Sequence, residues 1–254
     1  MFVAPHPRGH VAIGQPAHGW MCGQLARAWG NERFGWFEPV EEVCLAAEQH
    51  DTGWAEWELA PELDRASGLP QTFMTTGFST RLAITTPWVE KLVAQSRYAA
   101  LLVSMHHCSF FEQPSRLGRL REGGRELHAF LEEHAALQAR LRQGLARPEA
   151  EITRNQRLIR AWDGLSHDII LGLVPATRTG VPAAGAERVA LRVDEQDCLL
   201  TIDPWPFRAE QIVVRTEGRL LETTFSDGDA LREALAEAPW IALEYRLAAP
   251  GLAA

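Results

Sequence analysis

Four sets of side chains can do chemistry together if the fold lets them meet. His18 stands in Gln15-Pro16-Ala17-His18-Gly19-Trp20, and His50 and Asp51 are adjacent in Glu48-Gln49-His50-Asp51-Thr52-Gly53-Trp54. His106 and His107 close the apolar run Leu101-Leu102-Val103-Ser104-Met105, and Asp163 lies in Arg160-Ala161-Trp162-Asp163-Gly164-Leu165. Each interrupts a stretch where a helix core would carry Leu or Ala. Burying an ionisable group is costly unless it is paired or holds a cation. One shared site would remove that cost for all of them. Imidazole and carboxylate without thiolate suit one or two divalent ions of Fe, Mn, Zn or Co and leave positions open. Such an ion acidifies water into a nucleophile, or activates oxygen if it is iron.

Plainer readings stand beside this one. Neighbours on a helix point about 100° apart, so His50 and Asp51 converge only if the helix end aims between them. Alone they read as a helix-end histidine and a turn aspartate. His18 alone reads as a satisfied histidine at a helix start, and His106-His107 as a polar helix exit. Asp163 competes with Asp168. His167 is four residues after Asp163 on the same face, where it can hydrogen-bond the carboxylate from behind. Cys22, four after His18, reads as core filler. Glu48, Glu56 and Glu58 read as solvated charges, though each could serve as a general base. Arg81, Lys91 and Arg97 can each neutralise a phosphate, and nothing singles one out. Trp54 and Trp57 read as core packing.

Helices must carry these groups. Gln15 to Trp29 and Pro39 to His50 give the first two, followed by a long loop from Asp51 to Ser79. Thr86-Pro87 reads as an N-cap and first helical residue, with that helix running to Ala94. Tyr98 to Phe111 is a buried helix, Leu117 to Leu145 a long amphipathic one, and the last runs from Pro148 or Glu149 to about Leu173. After Pro175 the pattern changes. Thr177 to Gly185 reads as a linker. Strands are expected over Arg188 to Val193, Cys198 to Ile202, Gln211 to Thr216, Arg219 to Phe225 and Ile241 to Arg246, with a helix at Asp227 to Ala236.

Composition narrows the class. The 254 residues carry a net charge of −8 with no basic block, which argues against a dedicated nucleic-acid or acidic-membrane binder. A small anionic substrate remains the expected partner; oligomeric state is left open. No apolar run reaches membrane-spanning length, and the start lacks a charged segment followed by an apolar one. Cys22, Cys44, Cys108 and Cys198 show no CxxC spacing, so a reducing cytoplasm is expected. The clustering of Trp20, Trp29, Trp36, Trp54 and Trp57 predicts an aromatic core in the first third.

The order His, His-Asp, His, Asp on successive helices resembles the HD-domain (His-Asp) superfamily of metal-dependent phosphohydrolases. The phrases around His18 and Trp29-Gly30, Glu48 to Trp54, Ser104-Met105-His106, Trp162 to Ser166 and Ile202-Asp203-Pro204-Trp205-Pro206-Phe207 look like a bacterial family of uncharacterised role, domain of unknown function 3891. The resemblance implies metal ligation by His18, His50, Asp51 and Asp163. In a two-ion site it implies that Asp51 bridges and that His106, with His107 or another histidine, holds the second ion. It also implies a mainly α fold. We expect an HD-like helical bundle over residues 10–176 and a small β-rich unit over 186–250. The expected function is hydrolysis of a small phosphorylated substrate, with Asp51 orienting the water. Two alternatives are kept: a mixed-valence di-iron oxygenase on the same scaffold, and a non-enzymatic, metal-stabilised sensor or scaffold.

Overall fold

In a computed structural model, residues 1–111 and 124–251 are described. The helices form where apolar spacing dictates. α1 spans Gln15–Ala28, α2 Val40–Gln49, and a short 3-10 turn at Thr52–Trp54 leads into α3 at Ala55–Glu58. α4 is Phe78–Leu92, α5 Arg97–Ser109, α6 Gly124–Arg142 and α7 Glu149–Leu171. α5 is buried on nearly every side and is N-capped by Ser96, whose Oγ accepts the Ala99 N–H at 3.1 Å. α7 ends at Gly172 in the left-handed region, φ 61°, where glycine carries no Cβ penalty. The expected start of the long amphipathic helix, Leu117, lies outside the described residues; α6 falls within the expected range.

Two local expectations fail for clear reasons. Pro87 does not open a helix; it lies inside α4. Pro87 and Ala83 are both exposed, so the carbonyl that proline leaves without a donor faces water. The loop after Asp51 also holds structure. Besides α3 it forms a small hairpin, β3 (Leu63–Asp64) with β4 (Leu69–Pro70).

The fold class is the larger correction. About 46% of the described residues are helical and 24% are in strands, and a seven-stranded sheet curls into a half-barrel, so this is an α/β fold and neither mainly α nor all-alpha. Its strands come from both ends of the chain. β1 (Phe2–His6) and β2 (Gly9–Ile13) precede the helices. β5 (Ala176–Pro182), β6 (Arg188–Gln196), β7 (Leu199–Asp203), β8 (Gln211–Leu221) and β9 (Trp240–Ala248) follow them, with α8 at Gly228–Glu237. The order is β1-β2-β8-β9-β7-β6-β5, antiparallel except for the β7–β9 pair. The stretch Thr177 to Gly185, expected as a linker, is largely strand β5. The two runs expected on either side of Gly218 are the single strand β8.

The reason is tertiary. β2 pairs with β8 in a register that sets Ala12 opposite Arg219, so the first residues complete a sheet whose other strands lie some 200 positions later. One continuous apolar cluster includes Phe2, Ile13, Leu25, Leu101, Trp162, Leu191, Ile202, Val214 and Leu247. Helices and sheet therefore bury their apolar faces against each other rather than in separate cores. α1 is bolted to β8. Gln24 donates from Nε2 to the Arg215 carbonyl and accepts the Arg215 N–H, both at 2.9 Å, and Thr216 Oγ1 donates to the Ala17 carbonyl at 3.1 Å. The aromatic expectation divides. Trp29 and Trp54 are buried and Trp29 packs edge-on to Trp162 and Phe207, whereas Trp20 and Trp36 are 41% and 61% exposed. No helix among the described residues is long and apolar enough to cross a membrane.

Candidate metal centre

The site lies where α1, the end of α2, α5 and α7 come closest. Gly19 makes this possible: a Cβ there would stand 2.5 Å from the Glu48 carbonyl oxygen. The absence of a side chain lets α1 lie against the last turn of α2, which brings His18 beside His50. His50 is the C-cap of α2 with helical φ and ψ, and the chain leaves the helix at Asp51. Asp163 and His167 project from one face of α7, and His106 from α5.

Asp163 is the hub. Its Oδ1 is 3.1 Å from His18 Nε2, 3.2 Å from His167 Nε2 and 3.6 Å from His50 Nε2, and its Oδ2 is 3.8 Å from His106 Nε2. Two ligands held roughly 2.1 Å from one ion stand roughly 3 to 3.5 Å apart. The spacings here are of that order. Asp51 sits at the margin, with Oδ2 3.5 Å from His50 Nε2. Three ligand triads close within 4.8 Å among the described residues: His18 with Cys22 and His50, His18 with Asp163 and His167, and His50 with His106 and Asp163. Neither Asp51 nor His107 is in any of them.

The outward-facing ring nitrogens fix where the protons are. His50 Nδ1 is 2.8 Å from the Ala47 carbonyl, which can only accept, so Nδ1 carries a proton. Ser166 donates its one hydroxyl proton to the Asp163 carbonyl at 2.8 Å, so its oxygen must accept from His18 Nδ1, also at 2.8 Å. When neutral, each imidazole then has a bare Nε2 lone pair turned towards Asp163. A lone pair facing a carboxylate is repulsive unless a proton or a cation lies between them. This second-layer anchoring of Nδ1 is what metal-ligating histidines have. His50 Nε2 and both ring nitrogens of His106 are buried without a hydrogen-bond partner. The donors present therefore fit a divalent cation, and these unpartnered atoms are the observation that says so.

His107 does something else. Its Nε2–H donates to the His50 carbonyl at 2.9 Å, which ties α5 to the turn that carries His50. Cys22 Sγ lies 3.3 Å from Ser166 Oγ and 3.8 Å from His18 Nε2, and burial pushes its thiol pKa well up, so it is a neutral neighbour. Asp168 takes the Arg178 guanidinium in a two-pronged pair and pins α7 to β5, which leaves Asp163 to the site. Glu58 is not solvated: it accepts the Gln15 N–H at 2.9 Å and pairs with the Met1 amine at 2.5 Å.

Electrostatics follow from burial and this geometry. Burial lowers the His50 pKa, but the Asp51 and Asp163 carboxylates overrule it and lift it to about 9. Burial drives His18 down to about 4 against the pull of Asp163. For Asp163, burial favours the acid, yet His167, His18 and His50 outweigh it and hold the carboxyl well below its usual range. Without a metal, the site is an ionised Asp163 paired with a protonated His50. Three contributors went unread in the sequence. Ser166 orients His18; its only signal is its place one turn after Asp163. Phe2 of β1 lies 4.8 Å from the His18 ring and 4.9 Å from the His167 ring, and Phe73 lies 5.1 Å from His167. Together they wall one end of the site with apolar surface.

The family model described as "Protein of unknown function (DUF3891)" matches residues 1–223. The chain belongs to the DUF3891 family. The match spans the first eight strands, α1 to α7 and every side chain of the site, and it ends before α8 and β9. It ties this DUF3891 chain to that family and does not itself extend to the HD-domain superfamily. No curated protein and no solved structure matches the DUF3891 chain.

Proposed function

We propose that this chain is a metal-dependent hydrolase of a small phosphorylated molecule, working at the Asp163 centre. The observation that carries the metal reading is the pair of Nε2 lone pairs, on His18 and His50, turned towards Asp163 with their Nδ1 protons anchored behind them. A divalent ion held there acidifies water and neutralises phosphate charge. The residues' own tasks follow from position. His18, His50, His106 and His167 supply nitrogen donors around Asp163. Ser166 and the Ala47 carbonyl hold two of those rings in one tautomer. Asp51, outside the triads and 14% exposed at its side chain, faces the rim and can orient the attacking water and take its proton. His167, at 21%, is the other partly exposed group, so substrate would approach between these two. Phe2 and Phe73 limit water at that end. The order of ligands along the chain, and their origin on four different helices, α1, α2, α5 and α7, supports kinship of this ligand set with the HD-domain superfamily.

The test is direct. The chain is stripped with chelator, reloaded separately with Mn, Co, Zn or Fe, and assayed for bound metal and for phosphate released from aryl and nucleoside phosphates. We expect metal retained through gel filtration and phosphate release that requires it. Asp163→Asn and His50→Ala should each weaken metal binding by at least about 100-fold in a folded chain, more than the loss of an outer partner costs. Unchanged metal content in both variants overturns the proposal. Oxygen uptake with iron and no phosphate release would replace it with the oxygenase reading.

A further inference from the structure

The imidazoles form an arc rather than a ring around one point. Ring centroids lie 4.9 Å apart for His167 and His18, 5.2 Å for His18 and His50, and 5.0 Å for His50 and His106. His167 and His106 are the two ends of this arc. They belong to different ligand triads, His18–Asp163–His167 and His50–His106–Asp163, which share only the carboxylate. The carboxylate is divided at the two ends of the arc: Oδ1 is 3.1 and 3.2 Å from His18 and His167 and Oδ2 is 3.8 Å from His106, while His50 Nε2, in the middle, is 3.6 Å from Oδ1.

Resting on the metal reading above, we propose that the centre holds two divalent ions bridged by Asp163, one on His18 and His167 and the other on His50 and His106. Two donors on one ion with bonds of about 2.1 Å lie at most about 4.2 Å apart, and no triad, whose donors all lie within 4.8 Å of one another, contains both His106 and His167. His106 supports the second position: it is fully buried and neither ring nitrogen has a hydrogen-bond partner. The assignment departs from what the family resemblance implies. Asp163 takes the bridging place given there to Asp51, His167 becomes a ligand, and His107 is left out because its Nε2 is spent on the His50 carbonyl. The charge balance bears on substrate class. Among the described residues, the carboxylates nearest two doubly charged ions would be those of Asp163 and Asp51, leaving a positive excess suited to a phosphate dianion.

Manganese alone is the probe. The stripped chain is equilibrated with excess Mn2+, dialysed, and measured by elemental analysis and electron paramagnetic resonance. We expect two Mn per chain with an exchange-coupled signal, as a shared carboxylate requires. His167→Gln and His106→Gln should each leave one Mn with the signal of an isolated ion. His167 is partly exposed, so its variant should keep the parent fold, as circular dichroism will show, and it decides the matter if His106→Gln does not fold. One Mn in the parent chain, or two retained in His167→Gln, overturns the two-ion centre while leaving the single-ion reading intact. No Mn in the parent chain removes both.

Discussion

Ser166 shows how much of the site rests on a residue that holds no ligand position. Its hydroxyl is used twice, donating to the Asp163 carbonyl and accepting from His18 Nδ1, each at 2.8 Å. Replacing it with alanine frees the His18 ring to adopt the other tautomer and to turn. Removing such an outer partner costs metal affinity about 10- to 100-fold. Ser166→Ala should therefore fold normally and bind Mn2+ more weakly by that factor in a calorimetric titration, while Ser166→Thr, which keeps the hydroxyl, recovers most of it. Parent affinity in Ser166→Ala would show that His18 is not held this way. The residue types were legible in the sequence and this pairing was not, because Ser166 reads as an ordinary small residue on a buried helical face.

At the scale of elements, the site depends on how closely α1 and α2 approach. Gly19, next to His18, is where the two helices touch. A side chain at that position meets a backbone carbonyl, which cannot swing aside as a flexible side chain would. Gly19→Val should destabilise the metal-free chain by about 1–3 kcal/mol, the usual cost of overpacking, read as a lower urea midpoint with unchanged slope. Metal affinity should fall with it, since His18 and His50 ride on the two helices being forced apart. Unchanged stability would mean that the interface is looser than this spacing implies. Arg178 makes the complementary connection on the other side. It clasps Asp168 and lies against α7 where Gly164 leaves room, within 3.1 Å of the position a Cβ would take. Asp168 was legible as a rival to Asp163, but its partner comes from a segment that read as a linker.

For the molecule as a whole, the buried histidines set a pH profile. The His50 pKa in the folded, metal-free chain is raised to about 9 from 6.5, so its contribution is complete below about pH 6.5 and is lost as pH rises through 9. His18 is lowered to about 4, so its penalty appears as pH falls from 6.5 through 4. His106, His107, His134 and His167 are also lowered by burial and act in the same acid direction. Thermal stability of the metal-free chain should therefore peak near pH 6.5 and fall on both sides. Saturating metal should flatten the alkaline side, because the cation takes the place of the His50 proton. An apo profile that keeps rising from pH 7 to 9 would contradict the pairing of His50 with Asp51 and Asp163.

Local chemistry determined the candidate residues. The helices around His18, the His50-Asp51 step, His106 and Asp163 follow from apolar periodicity within short windows, and misplaced ionisable groups on such faces are visible without coordinates. Tertiary structure decided which of them meet. It placed Asp163 at the hub, set Asp51 at the rim, turned His107 onto a backbone carbonyl and drew His167 into the cluster. It also decided the fold class: the hairpin of β1 and β2 carries no strong signal of its own and becomes part of a seven-stranded sheet only by pairing with β8. The physical reason is the same in both cases. Helix-forming preference acts over a few residues, whereas strand pairing and side-chain convergence are fixed by partners far along the chain, on which the local sequence is silent.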